Sequence, residues 1–485
     1  MKIESLRSLR GPNLWSNHTT LEAVVRFEGS VDLALVERVA RRALELQVAV
    51  GSHVTFSEVR RISDQQCRLL VQYVEEEVGK RALELAVKLP LDVPVSQVGE
   101  LPTLKSLAED VRLGPSTGSI VRAAERRGIP ARRMTEGSLV QFGFGSRRRR
   151  IWAAETDRTS AIGEAIAQDK DLTKSLLATI GVPVPEGRVC KTAEEAWTVA
   201  QTIGLPVAIK PRKGNQGKGV STALETQEAV VTAHQIAVAY DGETIVERHL
   251  FGSDHRLLVI GDKLVAAARR EPPSVVGDGK SSIAQLVAIE NQNPLRGDDH
   301  STSLSKLRLD AIGLEHLAEQ SLNAESVPAA GQKVSLRRNA NLSTGGSATD
   351  VTETVHPEVA ARAVEAARMI GLDVAGIDIV ATRIDQPLEV TRGAIVEVNA
   401  APGLRMHLEP SAGKGRAVGE AIVDMMFQPG DDARIPIVSI TGTNGKTTTT
   451  RCISHILAST GLRVGMTCTD GIYVEGRRID TGDCS

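Results

Sequence analysis

The stretch VAIKPRKGNQGKG, residues 207–219, joins a short apolar run to a glycine-rich loop. The run predicts a strand, and Lys210 places a fixed positive charge near its end. Backbone N–H groups of a glycine loop approach phosphate oxygens closely because glycine has no side chain. The stretch therefore predicts a triphosphate clamp, although a glycine loop alone also serves ordinary turns. The predicted contacts are Lys210, Gly214, Gly217 and Gly219.

Charged residues flank this clamp on both sides. Asp169 and Lys170 precede it, and a second apolar strand over 243–247 ends in Glu247 and is followed by Asp254. The carboxylates of Glu247 and Asp254 suit hydrogen bonds to the exocyclic amine side of a nucleotide base and to the ribose hydroxyls. A surface hairpin with scattered charges is the open alternative.

A third group of polar residues lies on two later strand-like runs. Asp378 falls within GIDIV, residues 376–380, and Glu397 and Asn399 fall within AIVEVNAAPG, residues 394–403. Residues two apart on a strand share a face. Three oxygen donors on neighbouring strands suit Mg²⁺, which a few carboxylates hold together with phosphate oxygens.

Taken in order, these motifs resemble the ATP-grasp ligases, whose fold holds ATP between two α+β lobes. By that resemblance Lys170 and Lys210 contact the phosphates, Glu247 the adenine side and Asp254 the ribose. The same resemblance assigns the Mg²⁺ ions to Asp378, Glu397 and Asn399. Three arginines beside the motifs are candidates for binding substrate carboxylates or for structural roles; they are Arg256, Arg337 and Arg405.

A second phosphate motif lies near the end of the chain. An apolar run over 435–440, predicted as a strand, leads into the stretch TGTNGKTTT, residues 441–449. Such a turn opening a helix cradles phosphates, with Lys446 on the β and γ oxygens and Thr447 on Mg²⁺. The form resembles the Mur ligases, although Ile440 replaces the first glycine of the general pattern. The predicted contacts are Gly442, Asn444, Gly445, Lys446 and Thr447.

The chain contains both sets of motifs, and over its whole length it resembles the cyanophycin synthetase family. Similar stretches include 8–16, 113–117, 277–279, 293–297 and 341–346. The resemblance implies that an ATP-grasp unit adds aspartate to a polymer backbone and that a Mur-like unit adds arginine to each aspartate side chain. It also implies a homo-oligomer. Because the chain ends soon after Lys446, we expect an incomplete arginine-adding half. The absence of His from residues 36–42 argues against an accessory site there.

Length and composition fit a multidomain α/β and α+β protein of 485 residues. We predict a small N-terminal α+β domain associated with primer or polymer (1–160), an ATP-grasp ligase domain (161–428) and the start of a Mur-type P-loop α/β domain (429–485). A net charge of −2 and 2% aromatic residues disfavour a nucleic-acid binder. Five scattered cysteines and the absence of a long apolar run predict a cytoplasmic location without membrane contact.

The resulting hypothesis is a carboxylate–amine ligase that uses ATP and Mg²⁺ and forms an acyl phosphate. Its expected partners are aspartate, arginine and a cyanophycin primer. Two alternatives are another ATP-grasp peptide ligase of the glutathione type and a non-catalytic polymer-binding fragment. A nucleic-acid module rests only on the run of four arginines at 147–150, which we interpret mainly as a solvated linker.

Overall fold

The computed structural model describes residues 1–11, 13–214, 218–293, 295–297 and 304–481. The chain divides into two compact units. The first comprises Met1–Gly143 and Arg148–Asp432, and the second comprises Phe144–Arg147 and Ala433–Ser485. The first unit holds residues 161–428 and all of residues 1–160 except Phe144–Arg147, so the boundary between these predicted domains stays a prediction. Within the described ranges, no helix has the length and apolar character needed to cross a membrane.

The chain begins with a four-stranded antiparallel sheet covered by helices. Its order is β1-β2-β4-β3. Apolar residues within 31–50 recur at helical spacing and form α1, which Asp32 caps by accepting from Leu35 N–H. Apolar residues of β2 and β4 pack against α1 and α2. The elements are β1 (Lys2–Leu9), β2 (Thr20–Arg26), α1 (Leu33–Ala49), β3 (Ser57–Arg61), β4 (Gln66–Gln72) and α2 (Glu76–Lys88).

Two helices and a small meander follow. They are α3 (Leu101–Val111), α4 (Pro115–Arg126), β5 (Ala131–Arg133), β6 (Leu139–Phe142), β7 (Arg149–Trp152) and β8 (Glu155–Thr156). Helix α4 begins at Pro115, whose fixed φ suits a first helical position. The interpretation of 147–150 as a solvated linker is confirmed in part: Arg147, Arg148 and Arg150 are exposed, but β7 begins at Arg149, whose guanidinium contacts Asp157 at 2.6 Å.

The next sheet has the order β11-β10-β12-β9. Helices α7 and α8 cover one face, where Ala200 and Ala233 pack with Ile209 and Val246. The predicted strand over 207–211 is confirmed as β10. The elements are α5 (Ala161–Gln168), α6 (Lys170–Thr179), β9 (Gly187–Cys190), α7 (Ala193–Ile203), β10 (Val207–Pro211), β11 (Ser221–Leu224), α8 (Gln227–Asp241) and β12 (Thr244–Arg248).

A five-stranded antiparallel sheet forms the rest of the first unit, in the order β19-β14-β13-β20-β21. An insertion between β14 and β19 carries its own two small sheets. The elements are β13 (Ser253–Ile260), β14 (Lys263–Glu271), β15 (Ser274–Val276), α9 (Ile283–Glu290), β16 (Arg296–Gly297), β17 (Leu304–Ser305), α10 (Ala311–Glu319), β18 (Lys333–Ser335), β19 (Ser347–Asp350), α11 (Pro357–Ile370), β20 (Val374–Ala381), α12 (Leu388–Thr391), β21 (Ala394–Asn399), α13 (Arg405–Leu408) and α14 (Val418–Met426).

The two faces of this five-stranded sheet differ in chemistry. Leu257, Ile377 and Val398 lie on one face and pack in an apolar cluster with α11. Because side chains alternate along a strand, their neighbours Arg256, Asp378 and Glu397 lie on the other face. We call this second face the charged face. The fold thereby separates a packed core from a polar surface on the same five strands.

The second unit contains α15 (Lys446–Ser459), β22 (Gly465–Cys468), β23 (Gly471–Val474) and β24 (Arg477–Asp480). The predicted helix after the second phosphate motif is confirmed, but the predicted strand over 435–440 is wrong. A strand needs a hydrogen-bonded neighbour, and the described strands of this unit pair with one another. Ile437 is consequently 81% exposed and Val438 61%.

Candidate active site

Three lysines gather around two carboxylates beside β10. Lys170 and Lys174 lie one turn apart on α6, which begins after the N-cap Asp169. Lys210 lies on β10, next to β12 and its residue Glu247. Lys210 Nζ is 2.5 Å from Oε2 of Glu247, and Lys174 Nζ contacts the other oxygen of that carboxylate.

The third lysine joins this cluster to the five-stranded sheet. Lys170 Nζ lies 3.3 Å from Oε1 of Glu397 on β21. Burial lowers the pKa of Lys210 to about 8, opposed by the charge of Glu397. Burial, together with the charges of Lys210 and Lys170, also holds the pKa of Lys174 well below its usual range. A bound polyphosphate would favour the charged forms of these lysines, because an opposite charge nearby stabilises the ammonium group.

The glycine loop follows directly from β10. Lys170 Nζ donates to the carbonyl oxygen of Gly214. Gly219 has φ +69°, and a Cβ there would lie 2.7 Å from Tyr240 Cδ2, so this position requires glycine. The loop therefore begins beside the lysine cluster, as a phosphate clamp requires. Gly217 lies outside the described residues.

The predicted metal trio is brought together on the charged face. Asp378 and Glu397 are directly paired between β20 and β21. Asn399 donates from Nδ2 to Oδ2 of Asp378 at 3.4 Å and to the carbonyl oxygen of Gly376 at 3.2 Å. Two carboxylates and an amide on adjacent strands are oxygen donors of the kind that Mg²⁺ takes, but both oxygens of Asp378 here contact Arg256.

Two guanidinium groups converge on Asp378. Arg256 Nη2 donates to Oδ2 at 2.9 Å in a bidentate contact, and Arg270 Nη2 lies 3.4 Å from Oδ1. Burial opposes ionisation of Asp378, but these charges outweigh it and lower its pKa. The glycine at 376 makes room for this arrangement, since a Cβ there would lie 2.9 Å from Arg256 Nη1.

The remaining predicted site residues lie around this centre. Asp254 shares the charged face, because β13 begins at Ser253 and Asp254 lies two residues before Arg256 on that strand. Its pairing with β14 and β20 continues through Asp254, and burial raises the pKa of this carboxyl group. Arg405, buried at the start of α13, donates to Ser305 Oγ at 3.2 Å. Arg337 contacts Asp310 in the insertion.

Comparison with known proteins identifies the fold that carries these residues. Residues 169–324 match the family model for the carbamoyl-phosphate synthase L chain, ATP binding domain. A structure of a bifunctional glutathione synthetase from Pasteurella multocida aligns with a TM-score of 0.52 and 29% identity, covering 73% of this chain and 49% of that one. The chain carries an ATP-grasp ligase fold.

Similarity in sequence extends beyond the ATP-grasp fold. Cyanophycin synthetase from Trichormus variabilis is 42% identical over 465 residues, which cover 94% of this chain and 51% of the relative. Cyanophycin synthetase from Geminocystis herdmanii is 38% identical over 536 aligned positions, which cover all of this chain and 61% of the relative. The predicted resemblance to cyanophycin synthetases is thus confirmed. The chain spans about half to three-fifths of the length of these relatives.

The second phosphate motif belongs to the other unit and is described by itself. Gly445 has φ +77° at the N-cap of α15, and Lys446 begins that helix. Lys446 Nζ donates back to the carbonyl oxygen of Gly442 at 2.8 Å. Gly442, Asn444 and Thr447 belong to the same turn and helix start. Their predicted nucleotide contacts stay a prediction.

Two residues of the ATP-grasp site were not predicted. Lys174 was visible in the sequence one helical turn after Lys170, but its contact with Glu247 depends on two elements that are distant in sequence. Arg270 is the last residue but one of an alanine-rich strand, β14, and it reaches Asp378 through the β13–β14 pairing. The alternation of side chains along β14 was the sequence signal that favoured a place for Arg270 on the charged face. Arg270 lies two residues after Ala268, and Ala268 pairs with Arg256.

Proposed function

We propose that the chain is an ATP-dependent carboxylate–amine ligase of cyanophycin synthesis. The observation that carries this proposal is the lysine cluster of Lys170, Lys174 and Lys210 joined through Glu397 to the oxygen donors of β20 and β21. A triphosphate bound by the lysines would have its terminal phosphate next to the oxygen donors of β20 and β21. We further propose aspartate as the added amino acid and the backbone carboxyl end of the polymer as the acceptor, and the similarity to cyanophycin synthetases supports this choice.

Phosphorylation solves the chemical problem of the reaction. A carboxylate is a poor electrophile because its oxygen is a poor leaving group. The terminal carboxylate of the primer attacks the γ-phosphorus of ATP, ADP leaves, and an acyl phosphate forms. The amine of aspartate then attacks the acyl carbon and displaces inorganic phosphate. No protein nucleophile takes part, so positioning and charge neutralisation carry the catalysis.

Each side chain of the site has a role in this scheme. Lys170 and Lys210 hold phosphate oxygens, assisted by Gly214, Gly217 and Gly219. Glu247 orients Lys174 and Lys210 and faces the adenine side, and Asp254 reaches the ribose. Asp378, Glu397 and Asn399 would hold Mg²⁺, which supplies neutralisation of the phosphate charge when it is bound.

The arginines serve the carboxylate that is activated. Arg256 is held on Asp378, next to the metal donors, where charge develops during phosphoryl transfer. Arg405 is buried beside the same face and is proposed to bind a substrate carboxylate bidentately. Both are proposed as catalytic residues with Lys210.

The proposal also covers the N-terminal residues, the cellular location and the Mur-like part of the chain. Residues 1–160 associate with the primer or polymer, and the protein acts in the cytoplasm as a homo-oligomer without nucleic-acid or membrane partners. In a longer form, a Mur-like domain that begins at residue 429 adds arginine to the aspartate side chain. There Lys446 and Thr447 would serve a second ATP and its Mg²⁺.

The test is ATP-dependent phosphate release by the purified chain with a short aspartate–arginine primer and Mg²⁺. Aspartate, arginine or both are added, and product masses are measured in parallel. We expect phosphate release and a gain of one aspartyl residue only when aspartate and primer are both present. Release with aspartate in the absence of primer, or no aspartyl product, contradicts the proposal.

A glutathione-type ligase is the second candidate, and the Pasteurella multocida structure is the observation that favours it. Such an enzyme would join glycine to a cysteine-containing dipeptide. The same assay distinguishes the two candidates when γ-glutamylcysteine plus glycine replaces primer plus aspartate. Turnover only with the second pair would assign the glutathione-type reaction.

A further inference from the structure

The carboxylate of Asp378 is fully engaged by nitrogen donors. Its Oδ1 contacts Arg256 Nε and lies 3.4 Å from Arg270 Nη2. Its Oδ2 accepts from Arg256 Nη2 at 2.9 Å and from Asn399 Nδ2 at 3.4 Å. An ionised carboxylate has about four lone-pair sites, and these contacts occupy all of them. Asp378 can therefore bind a cation only after one of these donors has left.

Arg256 is the donor that holds both oxygens of Asp378. Its bidentate, charge-assisted contact is the strongest of these interactions, so a cation at Asp378 competes chiefly with Arg256. The side chain of Arg256 is only 11% exposed. A buried guanidinium without an acceptor is costly. Release of Arg256 from Asp378 therefore requires a second acceptor close by.

Helix α13 places a candidate acceptor over the charged face. Met406 packs against Ala268, and Ala268 is the direct cross-strand neighbour of Arg256. Because directly paired residues lie on the same face of a sheet, this packing brings α13 beside Arg256. The next residue on α13 is His407, which is buried.

The imidazole of His407 has an unused nitrogen. Its Nε2 is buried and has no hydrogen-bond partner among the residues that the structure describes. Burial, assisted by the positive charge of Arg256, lowers the pKa of His407 to about 3, so the ring is neutral at pH 7 and carries one acceptor nitrogen. Buried polar atoms are nearly always paired in folded proteins. An unpaired nitrogen near a guanidinium indicates a second arrangement in which the two meet.

We propose that His407 is a positioning residue whose Nε2 accepts the guanidinium of Arg256 when Asp378 binds a divalent cation. Asp378 is then free for the cation, and Arg256 stays beside the carboxylate that is activated. This inference rests on the proposed function, because it assumes the metal site on β20 and β21. It adds a residue that sets the affinity for the metal by acting through Arg256.

Binding of Mn²⁺ to the full chain with saturating ADP tests this proposal. Free Mn²⁺ is measured by electron paramagnetic resonance, and a titration of ADP alone corrects for Mn²⁺ held by the nucleotide. We expect His407→Leu to raise the dissociation constant of Mn²⁺ about tenfold, because Arg256 then lacks its second acceptor. His407→Gln, whose amide can present an acceptor near the position of Nε2, should retain the wild-type value. The matched control His316→Leu should retain it as well, since His316 lies on α10 in the insertion and contacts Glu319 there.

A double-mutant cycle separates this role from a packing effect. In an Arg256→Met background, His407→Leu should leave the dissociation constant of Mn²⁺ unchanged, because no guanidinium remains to be accepted. A tenfold rise that persists in this background would assign the effect to packing and refute the proposal.

An unchanged dissociation constant in folded His407→Leu would also refute it, and the proposed function would stand if the wild type still extends the primer. If His407→Leu does not fold, His407→Asn takes its place, because its shorter amide does not reach the position of Nε2. Absence of Mn²⁺ binding to the wild type would refute both the proposed metal site and this inference.

Discussion

Replacing Lys210 by methionine removes one buried positive charge and leaves a side chain of similar length. Glu247 is not left unpaired, because Lys174 contacts its other carboxylate oxygen. We therefore expect the fold to persist and Tm to change by only a few degrees. Activity should fall much further. A charge pair at about 4 Å with an effective dielectric constant near 20 contributes about 4 kcal/mol, which corresponds to a loss of roughly 10³-fold in kcat/KM.

The assay is continuous phosphate release at saturating Mg²⁺, with kcat/KM determined for ATP. Lys191→Met is the matched control, because Lys191 is 74% exposed and contacts Glu243 at the surface. It should retain nearly full activity. A loss of less than about tenfold in a folded Lys210→Met protein would refute the phosphate role of Lys210, since even one modest charged contact predicts more.

Three further predictions concern pH, metal and packing. The dissociation constant of ATP should rise by up to about tenfold per pH unit above pH 8, because the pKa of Lys210 in the free enzyme is about 8 and binding above that pH must take up a proton. Titration calorimetry of Lys210→Arg should show a weaker dependence of the ATP dissociation constant on pH. Glu397→Gln should raise the Mg²⁺ concentration for half-maximal activity roughly 10- to 100-fold, and an unchanged Mg²⁺ titration would argue against a ligand role. Gly376→Ala should destabilise the fold by about 1–3 kcal/mol and lower kcat by displacing Arg256, whereas Gly99→Ala, with open space around its Cβ, should change neither denaturant unfolding nor turnover.

Local sequence patterns predicted the elements whose signal is contained within a few residues. The strand at 207–211 and the helix within 31–50 were predictable because alternation and helical spacing report burial directly. The positions of Glu397 and Asn399 on one face were predictable for the same reason. The prediction for 435–440 failed because an apolar run becomes a strand only when a partner strand is present to accept its hydrogen bonds.

The sequence by itself determined which residue types were available: the lysines, the glycine loop and the oxygen donors, each in a recognisable order. Only the tertiary structure decided which of them share a site. Lys170 meets Glu397, and Arg270 meets Asp378, across long separations in the chain. The physical reason is that a charge pair depends on distance in space, and that distance is set by strand register and helix packing rather than by spacing along the chain.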